Sequence, residues 1–231
     1  MSANLRMLFA LTTLILCCGC EERSGDIVAT PSASTYRPCE DIEDLGPAEV
    51  GSKLQELLKK KRYPCVERLL KIRTLAEPDL PVVSTLIGLL VSDAQLDVSA
   101  IPSTTKLVVL GYLNFHMKVA KAGGFDLERF GGFIREEAKK QNSESRGKAL
   151  SLLFTIMRDS DSPTFVAAIQ SGDDSNLVVG LYALADKCSP VALKSLREVL
   201  KHEAMLSYMR RFSQTESITK KLLESCPAAL R

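Results

Sequence analysis

The chain reads as an all-α protein, and three observations predict it. From Pro47 onward apolar residues recur at three- and four-residue spacing, the period of a helix with one buried face. No segment alternates convincingly with period 2, so strands are not expected. Prolines, paired glycines and Ser-Pro steps divide the pattern into about ten helices of roughly 10–18 residues, joined by short turns.

The elements follow in order. In AEVGSKLQELLKK, Val50, Leu54, Leu57 and Leu58 share one face, with Lys53, Gln55, Glu56 and Lys59 on the other. PCVERLLKIRTLAE repeats this with Val66, Leu69, Leu70 and Leu75. DLPVVSTLIGLLVSD is apolar nearly throughout, which predicts a more deeply buried helix. STTKLVVLGYLNFHMKVAKAGG comes next, and its glycine pair is the natural stop. Asp126 is placed to cap a helix from Leu127, and Phe133 to Lys140 ends in charges. SRGKALSLLFTIMRDSD is expected to bury Leu150, Leu153, Phe154 and Met157. Ser162-Pro163 and Ser189-Pro190 both read as an N-cap followed by the first helical residue. NLVVGLYALADK lies between them. VALKSLREVLKH follows with Leu193, Leu196, Val199 and Leu200 in phase, and ESITKKLLESC closes the chain.

The segments also repeat, loosely. LPVVSTLIGLL, SPTFVAAIQSG and SPVALKSLREVL share a proline start and an apolar helix, while TKLVVLGYLNF and SNLVVGLYALA are alike as partner helices. Residues 160–202 carry the pattern best and 80–200 more weakly. The pattern resembles HEAT or armadillo-like repeats, whose helical hairpins stack so that each buries its neighbour's apolar face. The expected fold is therefore an irregular HEAT-like helical-hairpin array, with a compact multi-helix bundle as the alternative.

The amino end has a different character. Arg6 precedes MLFALTTLIL (Met7 to Leu16), an apolar run shorter than the ~20 residues of a membrane span and matching a signal-peptide core. Leu16-Cys17-Cys18-Gly19-Cys20 follows, then the polar EERSGD. This arrangement resembles the lipobox of bacterial lipoproteins, with Gly19 before the cut and Cys20 the lipidated residue. It departs from the usual pattern at Cys17, where an aliphatic residue is customary. A zinc knuckle fits less well, because the next cysteine is Cys39 and no histidine precedes His116. The resemblance implies a chain held stably on a membrane by its acyl groups. Glu at position 21 implies the outer membrane rather than the inner, with the body facing the periplasm. The expected organisation is a signal peptide (1–19), a lipidated tether rich in small and acidic residues (20–46), and a helical domain (47–231).

Removal of residues 1–19 leaves 29 basic and 28 acidic residues, a net charge near +1 that offers nothing to nucleic acid. The basic clusters KKKR (59–62), RR (210–211) and KK (220–221) read as solvated helix faces. Beyond Cys20, four cysteines remain: Cys39, Cys65, Cys188 and Cys226. In an exported protein they suggest disulfides, and position along the chain favours Cys39–Cys65 and Cys188–Cys226 over four free thiols.

Catalytic motifs do not emerge. His116 and His202 are far apart, and HEAML at 202–206 lacks the second histidine of a zinc-protease helix. Neither a nucleophile elbow nor a phosphate loop occurs. Asp159/Asp161 and Asp173/Asp174 flank helix starts, where carboxylates cap amides. No catalytic residue, metal or cofactor is therefore expected. The unusual internal stretch is AGGFDLERFGGF, in which Gly123, Gly124, Phe125, Phe130, Gly131, Gly132 and Phe133 form two Gly-Gly-Phe units. It reads either as a close-packed turn anchored by its phenylalanines or as a mobile apolar loop that meets a partner. Helical arrays present extended surfaces, so the expected role is non-enzymatic protein binding by a membrane-anchored module, such as an envelope assembly factor. An immunity-type protein that neutralises a toxin at the membrane is the alternative, and an enzyme with a dispersed site ranks last.

Overall fold

The computed structural model describes residues 39, 42, 45–74, 80–91, 101–141 and 145–212. Among these residues lie eleven α-helices, two 3-10 turns and no strand, so the protein is all-α. The helices are α1 (Pro47–Lys59), α2 (Tyr63–Thr74), α3 (Leu80–Val91), α4 (Ser103–Phe115), α5 (Met117–Ala122), α6 (Gly131–Lys139), α7 (Arg146–Thr155), α8 (Ser162–Gln170), α9 (Asp174–Lys187), α10 (Pro190–Val199) and α11 (Glu203–Arg211). The 3-10 turns are Leu127–Phe130 and Asp159–Asp161.

Packing follows chain order. α1 packs on α2 and α3, α2 on α4, α3 on α4 and α5, and α4 on α7. α6 lies on α7, α7 on α9, α8 on α9, α10 and α11, and α9 on α10. Each helix thus meets near neighbours in sequence, as stacked helical hairpins do. α2, α4, α7 and α9 form one row. In the other, α1 stands beside α3 and α8 beside α10. The two partner-helix repeats are α4 and α9, both in the first row; two of the three proline-started repeats, α8 and α10, stack in the second.

The core is built by the periodic faces. Val50, Leu54, Leu57 and Leu58 of α1 and Val66, Leu69 and Leu70 of α2 are buried, as are Val82, Val83, Leu86 and Ile87 of α3. Leu150, Leu153, Phe165, Leu181, Leu184 and Leu196 continue one cluster through the later helices. At ~25 cal/mol per Å² of apolar surface, burial of each such leucine contributes about 2 kcal/mol, which makes these stripes the main determinant of the fold.

Local signals fix the ends. Asp173 Oδ1 accepts from Asn176 N at 2.8 Å and Ser189 Oγ from Ala192 N at 3.1 Å, so both act as N-caps. Asp126 Oδ1 accepts from Glu128 N at 3.1 Å, but it opens a 3-10 turn, and α6 begins only at Gly131. Ser162 is not an N-cap. It is the first residue of α8, which continues directly from the 3-10 turn, and its buried hydroxyl has no hydrogen-bond partner. The described helices run from 6 to 14 residues against the expected 10–18, and one expected helix is broken at His116 into α4 and α5.

The folded body also begins earlier than Pro47. Its compact unit starts at Cys39. Cys39 and Ile42 are buried, Leu45 packs against the core, and the Arg73 guanidinium donates to the Leu45 carbonyl. The end of the expected tether therefore belongs to the body. Apolar residues as sparse as these carry no periodicity, so the sequence pattern hides them.

Candidate functional site

Of the cysteines singled out by sequence, Cys39 and Cys65 are joined by a disulfide, with a Cα–Cα distance of 5.5 Å. It pins the chain before α1 to the first turn of α2. Cys188, left-handed at the end of α9 with φ 49°, is in a disulfide as well. Its expected partner Cys226 lies outside the described residues, and so does Cys20.

The two Gly-Gly-Phe units form a packed corner. Phe125 is buried and stacks on Phe130 at 6.0 Å between ring centroids. Phe130 and Phe133 are half-buried against the core, and Lys106 Nζ lies 5.7 Å from the Phe133 centroid. Gly124 has φ 85°, a conformation that glycine adopts without strain. A Cβ on Gly123 would meet Ile87 Cδ1 at 2.7 Å, and one on Gly131 would meet Arg135 Nη1 at 2.5 Å. Gly131 therefore leaves space for a guanidinium, whereas Gly132 faces open space.

That guanidinium belongs to an ionic brace. Arg135 Nε and Nη2 donate to Asp161 Oδ1 and Oδ2 at 2.9 and 3.1 Å, and Nη2 also reaches the Ile156 carbonyl at 3.3 Å. Arg158 N donates to Asp161 Oδ2 at 2.9 Å. Burial pushes the Asp161 carboxyl up, but Arg135 and the Arg158 amide outweigh it and hold it below the ordinary range. A second hub is Glu137, which is buried and accepts from Ser103 Oγ at 2.9 Å, Ser145 Oγ at 3.0 Å and the Lys140 ammonium. Burial again pushes the carboxyl up, and Lys140, Ser103 and Ser145 bring it below its usual value. Each carboxylate accepts three hydrogen bonds from neighbouring elements and so ties those elements together.

A more open feature lies where the C-terminal ends of α4, α7 and α9 stand side by side. Asn114 Nδ2 donates to Thr155 Oγ1 at 3.3 Å, joining the last turns of α4 and α7. Lys187 Nζ donates to the Met157 carbonyl at 3.0 Å, joining the end of α9 to the chain after α7. Between them an open groove of about 230 Å³ is lined by Phe154, Thr155, Met157, Ala183, Asp186 and Lys187. Phe115, 42 % exposed, stands at the neighbouring end of α4. Beside it His116 is buried, 4.6 Å from the Tyr112 ring, with Nε2 lacking a hydrogen-bond partner, and burial pushes its pKa down. Helix C-termini carry partial negative charge, which Asp186 reinforces and Lys187 offsets at one carbonyl. The rim thus offers a negative edge to a cation, beside the exposed ring of Phe115.

Sequence reasoning missed this rim. Its residues lie at the ends of three separate helices, and only the stacking of α4, α7 and α9 brings them together. The one usable signal was that TKLVVLGYLNF and SNLVVGLYALA are equivalent repeats, which puts their last turns at one edge. Among the described residues no group of three His, Cys, Asp or Glu side chains is placed to hold a metal ion. No family model, curated protein or solved structure matches this chain.

Proposed function

We propose that the protein is a membrane-anchored, periplasm-facing lipoprotein, lipidated at Cys20, whose helical array binds a protein partner at the rim formed by α4, α7 and α9. The observation that carries the reading is the rim itself, where an exposed phenylalanine and an open groove adjoin the neighbouring ends of three helices. Its partner is a chain segment presenting an apolar side chain next to a lysine or arginine. The anchor rests on the apolar run and Gly19-Cys20, and the second disulfide, Cys188–Cys226, is part of the same reading.

The test is affinity capture from envelope extract by the full lipidated chain, repeated with Phe115→Ala and Asp186→Lys. A stoichiometric partner that is lost with either variant supports rim binding. Its identity, a constitutive envelope component or a toxin, decides between an assembly factor and an immunity-type role. Capture that ignores both variants moves the binding face elsewhere. Fractionation of Cys20→Ser checks the anchor separately: the variant is expected in the soluble fraction, and its retention in the membrane would refute lipidation at Cys20.

A further inference from the structure

Charge is distributed unevenly along this chain. Residues 47–74, the α1–α2 hairpin, hold eight basic residues and three acidic ones, a net charge of +5 against +2 for the whole sequence. The three acids are engaged within the hairpin and its neighbours. Glu49 accepts from Gly46 N, Glu56 is paired by Lys53 and Lys60, and Glu67 accepts from Thr105 Oγ1 at 2.7 Å. Lys59, Lys61 and Lys71 are exposed and have no carboxylate partner among the described residues. Arg68, Lys71 and Ile72 occupy one exposed face of α2, with Ile72 40 % exposed.

The turn between the helices has a further peculiarity. Arg62 N donates to the Leu57 carbonyl at 2.8 Å, a six-residue closure with Lys61 left-handed at φ 55°. Glycine fills such a position without strain, yet here a lysine does, in the middle of Lys59-Lys60-Lys61-Arg62. The Cys39–Cys65 disulfide then fixes the amino-terminal segment three residues past this basic run. Cys20 and Cys39 are nineteen positions apart. Nineteen peptide steps can span at most about 65 Å, well beyond the ~8 Å screening length of physiological salt. A lipid at Cys20 would thus keep the hairpin within reach of the bilayer without holding it there.

We infer that the α1–α2 hairpin docks on an anionic phospholipid surface through Lys59, Lys61 and Lys71, with Ile72 entering the headgroup layer. The proposal uses the Cys20 anchor for its reach. The charge of the hairpin attracts the surface on its own account. Docking supplies the second signal that a basic patch adds to an acyl anchor, and it fixes which end of the array faces the membrane.

The experiment is lysine-selective acylation of the lipidated chain, read by mass spectrometry, with flotation on vesicles of pure phosphatidylcholine or of phosphatidylcholine with phosphatidylglycerol. Flotation on both, with Lys59, Lys61 and Lys71 modified at least five-fold more slowly on the anionic vesicles and Lys148 and Lys194 unchanged, supports docking. Flotation on both with equal modification overturns it and leaves the anchor intact. Flotation on anionic vesicles alone supports docking and refutes the anchor; flotation on neither refutes both. Comparable protection by inorganic phosphate or duplex DNA in place of vesicles also overturns it. Lys61→Gly serves as the folding control, because it relieves the left-handed strain. Its Tm is expected to hold or rise while partition of the Cys20→Ser chain onto anionic vesicles falls about five-fold. Unchanged partition counts against docking.

Discussion

At the scale of single residues, His116 is the clearest case of a side chain whose surroundings set its chemistry. It ends α4 and starts α5 with φ −93° and ψ 34°, buried between the rings of Tyr112 and Phe115. Burial disfavours the imidazolium, so its pKa in the folded chain lies below the ordinary 6.5. The unfolded chain therefore binds a proton that the folded chain refuses. Stability contributed by neutral His116 is complete above pH 6.5 and is lost progressively as pH falls from there toward the folded value. Thermal melts between pH 7.5 and 5.5 are expected to show Tm falling, and His116→Phe should flatten that slope while leaving the pH 7.5 value nearly unchanged. An identical slope in the variant would place the titration elsewhere. The phenylalanines make a second contrast. Phe125→Ala, in the buried corner, should destabilise by about 3–5 kcal/mol, whereas Phe115→Ala, exposed on the rim, should stay within about 0.5 kcal/mol and act only on partner binding. Urea titrations of the two variants, set beside the capture assay, separate folding from function.

At the scale of elements, helices owe their positions to apolar stripes and their ends to a few polar atoms. Ser189 and Asp173 each satisfy an otherwise orphaned amide, so Ser189→Ala and Asp173→Ala should each cost about 1 kcal/mol in a urea melt. Ser162→Ala should cost little, because that hydroxyl bonds to nothing. The two Ser-Pro steps look alike in sequence, and only the preceding 3-10 turn tells them apart. This marks what was legible. The stripes of α1, α2, α7 and α10 follow the 3.6-residue period, so their buried faces could be assigned from spacing alone, and the pairing of Cys39 with Cys65 is the one chain position suggested. The break at His116 was not legible, since LNFHMK continues an acceptable helical pattern and the interruption follows from packing. Neither was the role of Gly131, which depends on Arg135 reaching Asp161 from the next turn of α6. The rim was hidden for the same reason: it is made by stacking, and its residues share no local pattern.

At the scale of the whole molecule, the packing order decides how a disturbance spreads. Among the described residues, α1 and α2 make their main contacts with each other, α3 and α4, while α8, α9 and α10 lie several helices away with α4 and α7 between. In such an array stability is a sum of local terms and nearest-neighbour interfaces, so the two ends can open separately. The Cys39–Cys65 bond closes a loop at one end only, with a sequence separation of 26. Its chain-entropy contribution is about 3.5 kcal/mol for a loop of that size. Replacing both cysteines by serine removes that term from the first hairpin and leaves Cys188 untouched. Native-state hydrogen exchange should then show opening of α1 and α2 made easier by about 3 kcal/mol, with the amides of α8, α9 and α10 changed by less than about 0.5 kcal/mol. A compact bundle, in which every helix shares one core, would lower protection everywhere by the same amount. Uniform loss across α1 to α10 would therefore reject the array description. Loss confined to the amino-terminal hairpin would establish it, and would show that the hairpin proposed to meet the membrane can yield without disturbing the groove beside α9.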